Sequence, residues 1–149
     1  HLVLVGKRTY YTNQIDAFIK SHRLEKRVHL LHDVTFQYLP AIYQQAEIFV
    51  YPSRFEGFGI PIIEALHSGI PVIAATGSCL EEAGGPDSLY VHPDDKEGMT
   101  KAICSLLNHP EKRQHMIEQG LKYVTRFSEQ RQAEELMNLY RSLTEEKTI

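Results

Sequence analysis

The sequence predicts an α/β domain built on a doubly wound parallel sheet, followed by C-terminal helices. Three observations carry this. Short apolar runs rich in β-branched residues recur up to about Pro93, stretches of helical apolar spacing separate them, and beyond Pro93 the pattern turns purely helical. Buried strands alternating with helices are the pattern of right-handed βαβ units, whose ligands sit at the carboxyl ends of the strands.

The first run, Leu2-Val3-Leu4-Val5, is stopped by Gly6 and reads as a strand buried on both faces. Further strands are expected at Val28–Leu31, Ile48–Tyr51, Pro71–Ala74 and Leu89–Val91. Between them, Ile15, Phe18 and Ile19 share one helical face, as do Leu39, Ile42 and Tyr43, and then Ile62, Ile63 and Leu66. Three helices follow, with apolar stripes Met99/Ile103/Leu106/Leu107, Met116/Leu121/Val124 and Ala133/Leu136/Leu139/Tyr140/Leu143 under charged, solvated faces. Pro110 separates the first two. Ser128 caps the last singly, because Arg131 stands where a capping box needs Glu.

The 149 residues are enough for one domain, 1–149, with residues 1–93 alternating β/α and 94–149 helical. Apolar residues at 42% and charged residues at 23% match a folded globular chain. Sixteen Lys plus Arg against 19 Asp plus Glu leave a net charge of -3, without the basic excess of a nucleic-acid binder, so no nucleic-acid partner is expected. No apolar run approaches the roughly 20 residues of a transmembrane helix, and the N-terminus lacks the basic start of a signal peptide. A cytoplasmic location is expected. Cys79 and Cys104 are far apart, and none of the eight histidines has a helical i, i+4 histidine partner, so neither a disulfide nor a metal site is expected.

The stretch from Tyr51 to Ile73 carries the chemistry. It follows a strand and opens a helix. Gly57 and Gly59 allow a ligand close to the backbone, Pro61 suits the first helical turn, and Gly69 suits the stop. The free N–H groups of such a helix start favour an anion such as a phosphate. Glu56 and Glu64 bracket it. Carboxylates repel phosphate but accept paired sugar hydroxyls, so a phosphate between two polyols, a nucleoside diphosphate sugar, satisfies the whole set. The plainer alternative makes Glu56 a solvated loop residue and Glu64 a first-turn acid favouring the helix dipole.

Phe55-Glu56-Gly57-Phe58-Gly59 and Glu64-Ala65-Leu66 closely resemble the signature of the group 1 retaining glycosyltransferases (family 4), whose second, Rossmann-like domain carries two glutamates eight positions apart. The resemblance takes in Leu4-Val5-Gly6, Val28–Leu31, Gly69–Ala74 and Leu89–Pro93, and covers residues 2–107 well. It implies the donor-binding, C-terminal domain of a GT-B enzyme that transfers a hexosyl group with retention, without a metal or other cofactor. Glu56 then contacts the donor sugar as the catalytic carboxylate and Glu64 holds the ribose. The amides of Gly57, Phe58 and Gly59, followed by Ile60, face the sugar and diphosphate. Leu80, in a segment similar to the family's Ser-Ser-Leu-Pro-Glu-Val, lies near the nucleotide, with Glu82 a structural carboxylate. Glu81 replaces the usual proline, which predicts a less rigid loop. The loop His32–Thr35 stands where the base is often met. The variety of the motif hints at mannosyl or rhamnosyl transfer, to a glycan or lipid-linked acceptor, at the inner membrane face in the full-length protein.

In the family a further strand and helix precede the first one here and carry an Arg and a Lys that neutralise the diphosphate. Lys7 and Arg8 do not match those positions. That absence predicts either direct pairing of the strands beginning at Leu2 and Ile48 or exposed sheet edges. With the N-terminal acceptor domain also absent, the chain alone is expected to be inactive, and part of the last helix's apolar stripe, which in similar enzymes packs toward the other domain, is expected to be uncovered. His67 is expected as a helix-end residue, and Arg54 either reaches a phosphate or stays solvated. A nucleotide-binding module without transfer and a sugar-nucleotide epimerase remain the alternatives.

Overall fold

The structure is a computed structural model that describes residues 1–145. The chain divides into two compact units, His1–Ile42 and Tyr43–Ile149.

The first unit is a βαβ element. Strand β1 (Leu2–Val5) and strand β2 (Val28–Leu31) pair in parallel, with Leu2 opposite Val28 and Val5 opposite Leu31. Helix α1 (Tyr10–Ser21) connects them. The Thr9 N–H donates to Thr12 Oγ1 at 2.9 Å at its start. At its end the Arg23 N–H reaches Lys20 O and the Leu24 N–H reaches Ile19 O, a Schellman turn with Arg23 at φ 55°. Both strands stand where the apolar runs predict them, but β1 is not doubly buried: Leu2, Val3 and Val5 are exposed, as is Phe18 on α1. One neighbouring strand and one connecting helix in this unit are too little to cover two faces. A 3-10 turn at Phe36–Tyr38 leads into α2 (Leu39–Gln44).

The second unit holds the larger core. Strands β3 (Phe49–Tyr51), β4 (Val72–Ala75) and β5 (Leu89–Val91) form a parallel sheet in the order β3-β4-β5. The alternating side chains of β4 show why it is doubly wound. Val72 and Ala74 pack with Ile62, Ala65 and Leu66 of α3 (Ile60–His67) and with Leu80 and Ala83 of α4 (Leu80–Gly84), whereas Ile73 packs with Leu106 and Met116. Leu106 belongs to α5 (Lys96–Asn108) and Met116 to α6 (Pro110–Val124), which Pro110 starts. Asp95 Oδ1 caps α5 by accepting the Gly98 N–H at 2.8 Å. Helix α6 lies close on α3 at Gly120, where a Cβ would come within 2.8 Å of Leu66 Cδ2.

The C-terminal stripes are only partly buried. Leu107 and Leu121 are exposed while Leu106 and Val124 are buried. Along α7 (Glu129–Glu145), capped by Ser128 Oγ at 3.4 Å from the Arg131 N–H, Leu136, Leu139, Tyr140 and Leu143 are all exposed. The resemblance implies that part of this stripe is uncovered, and among the described residues all four of these side chains are. Within the first unit β1 pairs with β2, and within the second β3 pairs with β4.

Candidate functional site

The site is built at the carboxyl end of β3. The chain leaves Tyr51, runs through Pro52–Phe58 and enters α3 at Gly59, whose φ of 104° is left-handed. That conformation favours glycine. Packing demands it too, because a Cβ there would lie 2.8 Å from Leu80 Cδ2 and 3.2 Å from Ala83 Cβ. Gly59 is therefore explained by its seat on α4. Gly57 is different: a Cβ on it meets nothing within 4 Å, so the space beside it is open.

The amides of this turn are available. The Ile62 N–H donates to Gly59 O at 2.9 Å and Pro61 has no N–H. Among the described residues no protein acceptor takes the N–H groups of Gly57, Phe58, Gly59 or Ile60. At the other end of α3 the Gly69 N–H meets Leu66 O and the Ile70 N–H meets Ala65 O, with Gly69 at φ 71°, the predicted stop.

Each glutamate is held by a tyrosine. The Tyr51 hydroxyl donates to Glu56 Oε1 at 2.5 Å, and the Tyr43 hydroxyl donates to Glu64 Oε2 at 3.0 Å. The Tyr51 hydrogen bond, helped by the Ser53 hydroxyl, holds the Glu56 carboxyl below the usual carboxylate range. Burial, then the bond to Glu56, pushes the Tyr51 phenol up to about 12, and burial with the Glu64 bond raises Tyr43 likewise. Glu64 stands outside the first turn of α3, which contains no acidic residue, so the helix-dipole alternative does not describe it. Glu56 is only partly exposed, and its carbonyl accepts the Cys79 Sγ–H at 3.2 Å, tying the loop to the start of α4.

Other predicted residues fall differently. Leu80 is fully buried and supports Gly59 from beneath. The Glu82 carbonyl accepts the Tyr123 hydroxyl at 2.6 Å. Glu81 does not loosen its loop. Its Oε1 accepts the Thr76 hydroxyl and, at 3.0 Å, the Gly77 N–H, so the carboxylate braces the turn that a proline ring would have stiffened. Arg54 is solvent-exposed, as the solvated alternative expects, and both its terminal nitrogens donate to the Asp94 carboxylate rather than standing free for a phosphate. Ile60 and Phe55 are exposed on the site's rim, and His67 is exposed at the end of α3. In the first unit His32 Nδ1 lies 3.0 Å from Gly6 O. No cluster of three or more His, Cys, Asp or Glu side chains suited to a metal occurs among the described residues. The sequence marks Tyr51 as the end of a strand and Tyr43 as part of a helical apolar face, and gives Asp94 no role; their hydrogen bonds appear only in the fold. The available signal was a tyrosine closing the strand five positions before Glu56.

A parallel, doubly wound sheet with a strand-to-helix turn at its carboxyl end is a Rossmann-like fold, in which that turn is the usual place for a ligand. The family model described as glycosyl transferases group 1 matches residues 1–123, and the chain belongs to this family. It is 37% identical over 111 residues to the O-antigen chain mannosyltransferase RfbU of Salmonella typhimurium, covering 74% of this chain and 31% of that one. It is 30% identical over 142 residues to the O-antigen chain mannosyltransferase B of Escherichia coli, covering 95% and 37%. Among solved structures, sucrose-phosphate synthase from Thermosynechococcus elongatus superposes with a TM-score of 0.83 at 28% identity, over 98% of this chain and 39% of that one. The chain spans about a third of the length of the curated relatives it matches. No helix among the described residues is long and apolar enough to cross a membrane.

Proposed function

We propose that this chain is the donor-binding part of a retaining hexosyltransferase, mannosyl transfer being favoured, that takes its sugar from a nucleoside diphosphate sugar. The observation that carries this is the row of unpaired amides from Gly57 to Ile60 with Glu56 and Glu64 on either side. The amides receive the diphosphate oxygens, Glu64 accepts the ribose hydroxyls, and Glu56 accepts hydroxyls of the hexose and orients it. Leu80 acts from below, by fixing Gly59. The names of the two mannosyltransferase relatives support the choice of sugar.

In the transfer, the bond from the anomeric carbon to the phosphate oxygen breaks and a bond to an acceptor hydroxyl oxygen forms on the same face. The acceptor's proton passes to the departing phosphate, so no protein nucleophile and no metal enters the reading. The acceptor is a glycan or lipid-linked hydroxyl at the cytoplasmic membrane face, bound by a part of the relatives' length outside this chain. Alone, the 149 residues bind donor without transferring it.

Calorimetric titration with UDP, GDP, UDP-glucose and GDP-mannose tests this. One nucleotide series is expected to bind, about tenfold more weakly in Glu64→Ala, the loss of charge-assisted hydrogen bonds of about 1.5–3 kcal/mol offset in part by water. Absence of binding to folded protein, or equal binding in the variant, overturns it; sugar transfer by the chain alone overturns the statement on inactivity.

A further inference from the structure

The two carboxylates are mounted on one aromatic rack. Phe49 and Tyr51 lie two residues apart on β3 and so share a face, with ring centroids 5.7 Å apart and planes stacked at 18°. Tyr43 of α2 meets Phe49 edge-on at 5.3 Å and 67°. All three rings are partly buried against the core that contains α3 and β4. Each tyrosine ring is packed on Phe49 and the core, so each phenolic oxygen is held by an element other than the one that bears its glutamate: Tyr51 on β3 for Glu56 of the loop, Tyr43 on α2 for Glu64 of α3.

We infer that Tyr51 and Tyr43 are positioning residues for the donor site, Tyr51 aiming Glu56 at the hexose and Tyr43 aiming Glu64 at the ribose. This rests on the proposed donor reading. By occupying Oε1 of Glu56, Tyr51 leaves Oε2 as the oxygen turned to the sugar; by occupying Oε2 of Glu64, Tyr43 leaves Oε1 and one remaining lone pair of Oε2 for a vicinal diol. A glutamate has three side-chain torsions, and an exposed one samples several rotamers. Each tyrosine bond removes that freedom before the ligand arrives, the condition under which a hydrogen bond to substrate is made without an ordering cost.

The groups facing Glu56 are few. Tyr51 approaches from β3, the Ser53 hydroxyl from the loop, and Cys79 reaches only its carbonyl; the nearby Arg54 is engaged by Asp94. Removing the Tyr51 hydroxyl therefore removes the main support of the ionised form.

The test uses Tyr51→Phe and Tyr43→Phe, each of which deletes one oxygen and keeps the ring, with melting temperatures to show that both remain folded. Two readouts are taken: carbon-13 NMR titration of the Glu56 carboxyl, and calorimetry with GDP, GDP-mannose, UDP and UDP-glucose. Tyr51→Phe is expected to move the Glu56 titration upward and to lower affinity for the sugar conjugate about 5- to 10-fold relative to its bare nucleotide, the worth of one hydrogen bond. Tyr43→Phe is expected to weaken nucleotide and conjugate in parallel by a similar factor. A merely structural role would move neither the Glu56 titration nor the ratio of conjugate to nucleotide. Wild-type binding with tyrosine variants that match it overturns this inference alone. Failure of the wild-type chain to bind any of the four overturns the donor reading and this inference together.

Discussion

Leu80 lies directly beneath Gly59, so close that a Cβ on the glycine would come within 2.8 Å of Leu80 Cδ2. Leu80 is fully buried and cannot swing away. Gly59→Ala is therefore opposed twice, by a φ of 104° and by overpacking. A left-handed residue costs roughly 1–2 kcal/mol and an extra core methyl about 1–3. Urea denaturation should show a loss of about 2–4 kcal/mol. Gly57→Ala, with open space around it, should lose less than about 1 kcal/mol while still weakening donor binding.

Arg23 makes the opposite case. It occupies the left-handed position of the turn that ends α1, at φ 55°, where most helices place glycine. Arg23→Gly relieves the side-chain penalty but adds disorder to the unfolded chain, and the difference favours the variant by about 0.5 kcal/mol. A higher urea midpoint at unchanged slope would bear this out; a lower midpoint would refute it.

Stability should fall on the acid side. Asp94, beside Arg54, and Glu81, beside Thr76 and Gly77, are both held below the ordinary carboxylate range, as is Glu56 beside Tyr51. A carboxyl with a depressed folded value favours the folded state above its unfolded value and loses that contribution as pH drops through the folded one. The decline accordingly begins near 4.5 for the glutamates and near 3.8 for Asp94. Glu81→Gln, which still accepts hydrogen bonds but does not titrate, should flatten the decline in melting temperature between about pH 5 and pH 3. An unchanged slope would show that the Thr76–Glu81 brace does not persist in solution.

The strands were legible because a continuous apolar run is a local signal. Leu2–Val5, Val28–Leu31 and Leu89–Val91 form as read, and the other two strands begin one residue later. The glutamate pair, the glycine turn and the stop at Gly69 were equally plain, since turn chemistry is written in residue type. What was hidden depends on partners distant in the chain. Arg54 finds Asp94 forty positions away, and Tyr43 finds Glu64 across 21. Periodicity records which side chains could be buried, whereas coverage depends on neighbouring elements, and α7 shows the difference: its stripe is apolar yet exposed from Leu136 to Leu143.

Leu106 and Leu107 turn that difference into a measurement. Both fall on the apolar stripe read for α5, but Leu106 is fully buried against Ile73 and Met116, while Leu107 is 48% exposed. Leu106→Ala removes buried methyl groups and leaves a cavity, for a cost of about 2–5 kcal/mol. Leu107→Ala gains helix propensity and gives up contacts that solvent already shares, so it should fall within about 0.5 kcal/mol of the parent. The same small effect is expected for Leu139→Ser on α7 when the chain is studied alone. A Leu139→Ser variant destabilised as strongly as Leu106→Ala would mean that α7 is covered in solution, and that its stripe belongs to a buried interface after all.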